Sequence, residues 1–164
     1  MMTSTLWMDS PVGPLLLSAE AETITSISFV DERFEGMDAT EHSPVLLEAQ
    51  RQLTAYFNGK LQEFQLPLTA GGTDFQRAVW AELVMIPFGA TTSYGEIARR
   101  LGMSAGASRA VGTANGANPI AIVVPCHRVI GTNGKLTGFA GGIERKRYLL
   151  GLESCHAAQG VLFC

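Results

Sequence analysis

Apolar positions fall in short runs between turn residues over residues 5–30, then switch to helical spacing from Ser43 onward. The first pattern predicts a meander: a strand near Thr5–Met8, a turn over Asp9–Pro14, a strand over Leu15–Ala19 and another over Ile24–Val30. Residues 31–43 are acidic and without period, and read as a loop. Between Ser43 and Phe57, the residues Val45, Leu46, Ala49, Leu53 and Phe57 share one helical face, which Asn58-Gly59 closes. A further strand is expected over Glu63–Leu68, and Ala70-Gly71-Gly72 reads as a linker. Thr73 followed by Gln76 is a capping-box pattern, opening a helix whose apolar face carries Phe75, Val79, Trp80, Leu83 and Ile86. Those rings read as core, not as a base-stacking surface. From Thr92 to Asn115 the pattern is helix, turn, helix: Ser93 caps a helix over Tyr94–Leu101, Gly102 stops it, and a second helix runs over Ala105–Ala114. Ala98, Ala105, Ala107, Ala110 and Gly112 keep that pair thin enough to pack closely. A last helix is expected over Glu144–Leu152.

Between the helical stretches lies the run Asn118–Gly131, NPIAIVVPCHRVIG. Ile120–Val124 is β-branched and apolar, and fits a strand covered on both faces. Pro125 cannot extend a ladder, so Cys126 is expected at a strand terminus, facing a cleft. His127 and Arg128 follow it. An imidazole and a guanidinium beside a thiol are surroundings that lower its pKa and supply the nucleophilic thiolate. Neighbours on an extended chain point to opposite sides, so a water would carry the proton between Cys126 and His127. The alternative is that Cys126 is a small buried hydrophobe and His127 a satisfied polar neighbour. Beyond Gly131, Asn133-Gly134 marks a turn, and Gly138, Gly141 and Gly142 suit a loop that approaches a ligand closely.

Composition narrows the classes. The chain is 46% hydrophobic and 16% charged, which excludes a disordered chain, and no apolar stretch reaches the length of a membrane span. With no secretory pattern at its start, the expectation is a soluble, cytoplasmic protein without a membrane partner. Cys126, Cys155 and Cys164 show no disulfide or metal spacing, and Cys155 and Cys164 read as incidental thiols. Residues 1–75 hold no cysteine and one histidine, His42, so no zinc or other metal is expected. The net charge of −3 conceals a division: residues 1–75 carry three basic and eleven acidic residues, net −8, and residues 76–164 carry nine and four, net +5. The basic part holds Cys126 and points to a polyanion partner for that part alone.

PCHRVIG at Pro125–Gly131, with SYGEIARRLG, SRAVG and ANGANPI before it, resembles the active-site region of the O6-alkylguanine-DNA alkyltransferases. The likeness extends from about Thr73 to Glu153. It implies an α/β N-terminal lobe, a small sheet with a helix, over residues 1–72, and a mostly α-helical C-terminal lobe with a helix-turn-helix over residues 73–164. It further implies repair by direct reversal. O6-alkylguanine is flipped out of double-stranded DNA bound through the minor groove, and its alkyl group passes irreversibly to Cys126 in a single turnover, without a cofactor. By this resemblance His127 draws the thiol proton through a water, Glu153 orients the imidazole, Asn118 braces the hinge between helix and strand, and Tyr94 presses on a phosphate and bonds the flipped guanine. Arg109 fills the gap left in the duplex, with Ser93, Tyr94, Ala107 and Arg128 as further DNA contacts. Val129, Phe139, Ala140 and Lys146 line the base pocket, Phe139 standing where the family usually has tyrosine. The expected state without DNA is a monomer.

Other chemistries fit parts of the pattern. A cysteine hydrolase needs an oxyanion hole, and a cysteine followed at once by its histidine is not the usual arrangement. A non-catalytic DNA binder would use the helix-turn-helix alone. A peroxide sensor would use Cys126 with Cys155 or Cys164 to resolve it.

Overall fold

The computed structural model describes residues 3–32, 43–131, 133–136, 139 and 141–157. His42, Ala140 and Cys164 lie outside the described residues. The chain divides into two compact units, one of residues 1–71 with 119–121, the other of residues 72–118 with 122–164.

The first unit is a three-stranded antiparallel sheet in the order β1 (Thr3–Met8), β2 (Leu15–Glu20), β3 (Thr23–Phe29), with the helix α1 (Pro44–Phe57). Ala21 and Glu22 join β2 to β3, and the tight reversal holds Ala21 at a φ of 53°. Leu15, Leu17, Ile24 and Ile27 from the sheet are fully buried, as are Leu46, Ala49, Leu53 and Tyr56 from α1. The strand expected over Glu63–Leu68 does not form; Leu68 alone bridges to Ile24. That bridge carries two bonds, from the Ile24 amide to the Pro67 carbonyl at 2.8 Å and from the Thr69 amide to the Ile24 carbonyl at 2.9 Å. At Gln65 the partner is a side chain instead: the buried Gln52 accepts from the Gln65 amide at 2.9 Å and donates to the Gln65 carbonyl at 3.0 Å.

The second unit is mostly helical: α2 (Asp74–Val84), α3 (Tyr94–Arg100), α4 (Ser108–Gly116) and α5 (Ile143–Ala157), with a short parallel pairing of β4 (Thr92–Ser93) and β5 (Val129–Ile130). The capping box forms as predicted: Thr73 Oγ1 accepts from the Gln76 amide, and the Gln76 side chain accepts from the Thr73 amide. Ser93 caps α3 by accepting from the Glu96 amide. The stop at Gly102 also forms as predicted, with Gly102 at a φ of 76°, its amide on the Arg99 carbonyl and the Met103 amide on the Ala98 carbonyl. The second helix of the pair starts later than its sequence pattern suggests, because Ala105–Ala107 winds as a 3-10 turn ahead of α4. Trp80 lies in the core, and its indole donates to the Ala114 carbonyl at 2.8 Å, tying α2 to the C-terminal end of α4.

Two further expectations fail. Ile120–Val124 is not a strand: Ile120 makes a single bridge to Ile27, and the chain then turns with Ile122 at a φ of 70°. The Val124 carbonyl, which a ladder would have paired, accepts instead from the Asn118 side chain and the Cys126 amide. Cys155 is disulfide-bonded, not an incidental thiol, and is therefore no free resolving partner for Cys126.

The Thr73 cap satisfies an amide that α2 cannot bond internally. Thr73→Ala is expected to lower the unfolding free energy by about 1 kcal/mol, read as an earlier urea midpoint with unchanged slope.

Candidate active site

Cys126, His127 and Arg128 form one turn of 3-10 helix and are all buried. This turn, not a strand terminus, presents the thiol. Its residues diverge as a tight helix requires. Arg128 turns to α5, where its Nε and Nη2 donate to Glu153 at 2.7 and 3.0 Å, and its Nη1 donates to the Ile86 carbonyl at 2.7 Å. Its guanidinium also lies 5.7 Å from the Phe88 ring centroid. Arg128, expected from the resemblance to be a DNA contact, is buried here and spends three hydrogen bonds inside the protein. His127 Nε2 lies 2.6 Å from the second Glu153 oxygen, while the buried Nδ1 has no partner. A carboxylate on Nε2 makes that nitrogen the donor and leaves the lone pair on Nδ1.

Burial pulls in opposite directions on these groups. Burial pushes the Glu153 carboxyl upward, but the hydrogen bonds from His127 and Arg128 outweigh it and hold the group at about 2. Burial holds the His127 imidazole below its ordinary value despite Glu153. Burial likewise pushes the Cys126 thiol up, against the opposing pull of the Asn118 side chain, the Lys146 ammonium and the amides of Cys126 and His127. The neighbours named from the sequence therefore do not lower the resting thiol. It is a protonated thiol beside a neutral imidazole.

Lys146, on α5, is completely buried, with its Nζ donating to the Val129 carbonyl at 2.6 Å. The same Nζ lies 5.9 Å from the ring centroids of both Tyr94 and Phe139. Its desolvation lowers its pKa, partly offset by the Cys126 sulfur. The β4–β5 pairing explains how Tyr94 arrives here, since Thr92 and Ser93 lie beside Val129 and Ile130 directly after the cysteine turn. Gly112 of α4 lies against Tyr94, where a Cβ would sit at an ordinary contact distance of 3.7 Å from the ring. Tyr94, Val129, Phe139 and Lys146 are thus brought together, and Asn118 reaches the Cys126 sulfur. Arg109 stands apart from them, exposed in the first turn of α4, with Ala107 half-buried just before it. The Ser93 hydroxyl oxygen is engaged in capping.

Asn115 is a site residue that sequence reasoning missed. It is buried, donates through Nδ2 to the Cys126 carbonyl at 3.2 Å, and leaves its Oδ1 without a partner. Its place in ANGANPI, three residues before Asn118, was the available signal. Among the described residues no group of three or more His, Cys, Asp or Glu side chains could hold a metal ion. No described helix is long and apolar enough to cross a membrane.

The buried pair fixes how stability follows pH. His127 has a folded pKa below its unfolded 6.5, so its contribution is complete above that value and falls as the unfolded chain alone takes up a proton. Glu153 adds a second loss between its unfolded 4.5 and about 2, worth about 3 kcal/mol in all. Urea midpoints should therefore drop between pH 7 and 5 in the wild type and drop less in His127→Gln, which cannot titrate.

Residues 74–155 match the family described as 6-O-methylguanine DNA methyltransferase, DNA binding domain, and residues 4–70 match its ribonuclease-like domain. The chain is 52% identical over 153 residues to a methylated-DNA–protein-cysteine methyltransferase of Mycobacterium tuberculosis, covering 92% of each. It is 50% identical over 151 residues to one of Methanosarcina acetivorans, covering 90% of this chain and 96% of the other. The crystal structure of Mycobacterium tuberculosis OGT in complex with DNA superimposes with a TM-score of 0.84 at 50% identity, covering 94% of this chain and 95% of that one. With both segments matched and half of its residues shared with such relatives, this chain belongs to the 6-O-methylguanine DNA methyltransferase family.

Proposed function

We propose that the protein repairs DNA by transferring the alkyl group of O6-alkylguanine to the sulfur of Cys126. The observation that carries this reading is the buried thiol followed by a buried imidazole whose Nε2 is fixed by Glu153 and whose Nδ1 is unpartnered. Nδ1 is the free base, and a water between it and Sγ takes the thiol proton as the sulfur attacks. The S–C bond forms while the C–O6 bond breaks. Guanine leaves with a proton, so the proton lost by the thiol is balanced on the product. Glu153 stabilises the imidazolium that forms meanwhile. Asn118, Lys146 and the turn amides stabilise the developing thiolate, consistent with their action on the sulfur. The product is a thioether, which no neighbouring group can cleave, so each molecule reacts once.

The alkyl carbon lies inside the duplex, so the nucleotide must leave the stack. The exposed Arg109 on α4 supports entry of that helix into the minor groove, with the guanidinium in the vacancy. Ser93, Tyr94 and Ala107 flank the bound strand. Val129, Phe139 and Lys146 receive the base, and Phe139 stacks without the hydroxyl of a tyrosine. The relative solved with DNA supports the choice of partner. The protein acts as a monomer before it meets DNA.

Incubation with a duplex bearing one O6-methylguanine should add one methylene to the intact mass, stoichiometrically and on the Cys126 peptide. Cys126→Ser should bind the duplex and gain nothing. An unchanged wild-type mass despite tight binding would leave a DNA binder only. Because His127 is held below 6.5, it stays competent as a base in mild acid. The single-turnover rate should accordingly hold its plateau at pH 6.5 and fall only below it; a fall centred above pH 7 would remove His127 from this role.

A further inference from the structure

Two asparagines, Asn115 in the last turn of α4 and Asn118 just beyond its end, grip the turn that carries the nucleophile, one on each side. Asn118 donates to the Val124 carbonyl at 2.8 Å and also acts on the sulfur. Asn115 donates at 3.2 Å to the Cys126 carbonyl, which accepts the Val129 amide as well. The two ends of the Asn115 amide are used unequally, since Oδ1 is buried and unpartnered. A leucine of similar shape would fill the space without stranding an oxygen, so packing alone does not account for this residue.

We propose that Asn115 is a positioning residue for alkyl transfer: together with the Val129 amide it pins the Cys126 carbonyl, fixing the rotation of the turn that directs the Cys126 and His127 amides at Sγ. The inference rests on Cys126 being the alkyl acceptor. Asn115 touches the peptide and not the sulfur. The groups that act on the sulfur directly are the Asn118 amide, the Lys146 ammonium from α5 and the amides of the turn, while Arg128 and Glu153 face one another. Released at its carbonyl, the turn can rotate and swing those amides away. Because α4 also carries Arg109 in its first turn, one rigid helix then sets both the exposed cation and the reactive sulfur.

The test is Asn115→Leu, which keeps shape and removes the donor. Two readouts are taken: methyl transfer from an O6-methylguanine duplex, and the pH dependence of Cys126 alkylation by iodoacetamide without DNA, followed on the Cys126 peptide. The expected result is a folded protein whose thiol titrates about one pH unit higher and transfers methyl about tenfold more slowly. Duplex binding in the Cys126→Ser background should be unchanged. A folded variant with the wild-type titration midpoint overturns the proposal, whether transfer is normal or falls through weakened DNA binding. Should the leucine variant not fold, Asn115→Ala carries the same expectations. Failure of the wild type to accept methyl would sink the proposed function, and the thiol titrations would still decide whether Asn115 orients the turn.

Discussion

A carboxylate without water around it needs counter-charge, and the second unit is arranged to supply it at Glu153. Arg128 contributes a forked pair of bonds and His127 a third, so both carboxylate oxygens are engaged. Removing one partner of such a buried pair costs about 3–5 kcal/mol, because the other charge is stranded. The cluster therefore behaves as a unit. It anchors α5 to the cysteine turn, and the third Arg128 bond, to the Ile86 carbonyl, anchors the end of α2 to both. The imidazole inherits its orientation from this arrangement, which leaves Nδ1 as its one nitrogen without a partner.

Around that cluster the sulfur is placed by backbone. The 3-10 turn collects amides near it, the asparagines at the end of α4 hold the carbonyls on either side, and Lys146 brings a buried cation from α5. The β4–β5 pairing then delivers Tyr94 to the same place. The site is assembled from elements far apart in sequence, each contributing one or two groups. A thiol raised by burial rests protonated and needs an adjacent base to be used at neutral pH.

Much of this was legible because it rests on local chemistry. Thr73, Ser93 and Gly102 work as caps and stop through bonds within a few residues, which are readable from spacing alone. Cys126 and His127 came from a specific motif and Glu153 from the family resemblance that motif carries, and the geometry joins His127 to Glu153. What stayed hidden depends on distant partners. Ile120–Val124 has the composition of a strand, yet its carbonyl partner is a side chain, and Ile122 accepts a left-handed φ that costs about 1–3 kcal/mol and is paid in burial. Glu63–Leu68 misleads for a related reason, because Gln52 takes the Gln65 backbone and only the bridge at Leu68 reaches the sheet. Nothing in the sequence near Arg128 announces its partners on α5 and after α2.

The bonds of the Arg128 guanidinium span 25 residues to Glu153 and 42 to Ile86. Contacts of that separation carry a loop-closure cost that the local bonds of a helix do not. During synthesis Cys126 is made before α5, so the nascent thiol has neither its buried imidazole nor its carboxylate. The ordered arrangement of buried thiol, imidazole and carboxylate is thus a property of the completed fold and of no shorter segment of it.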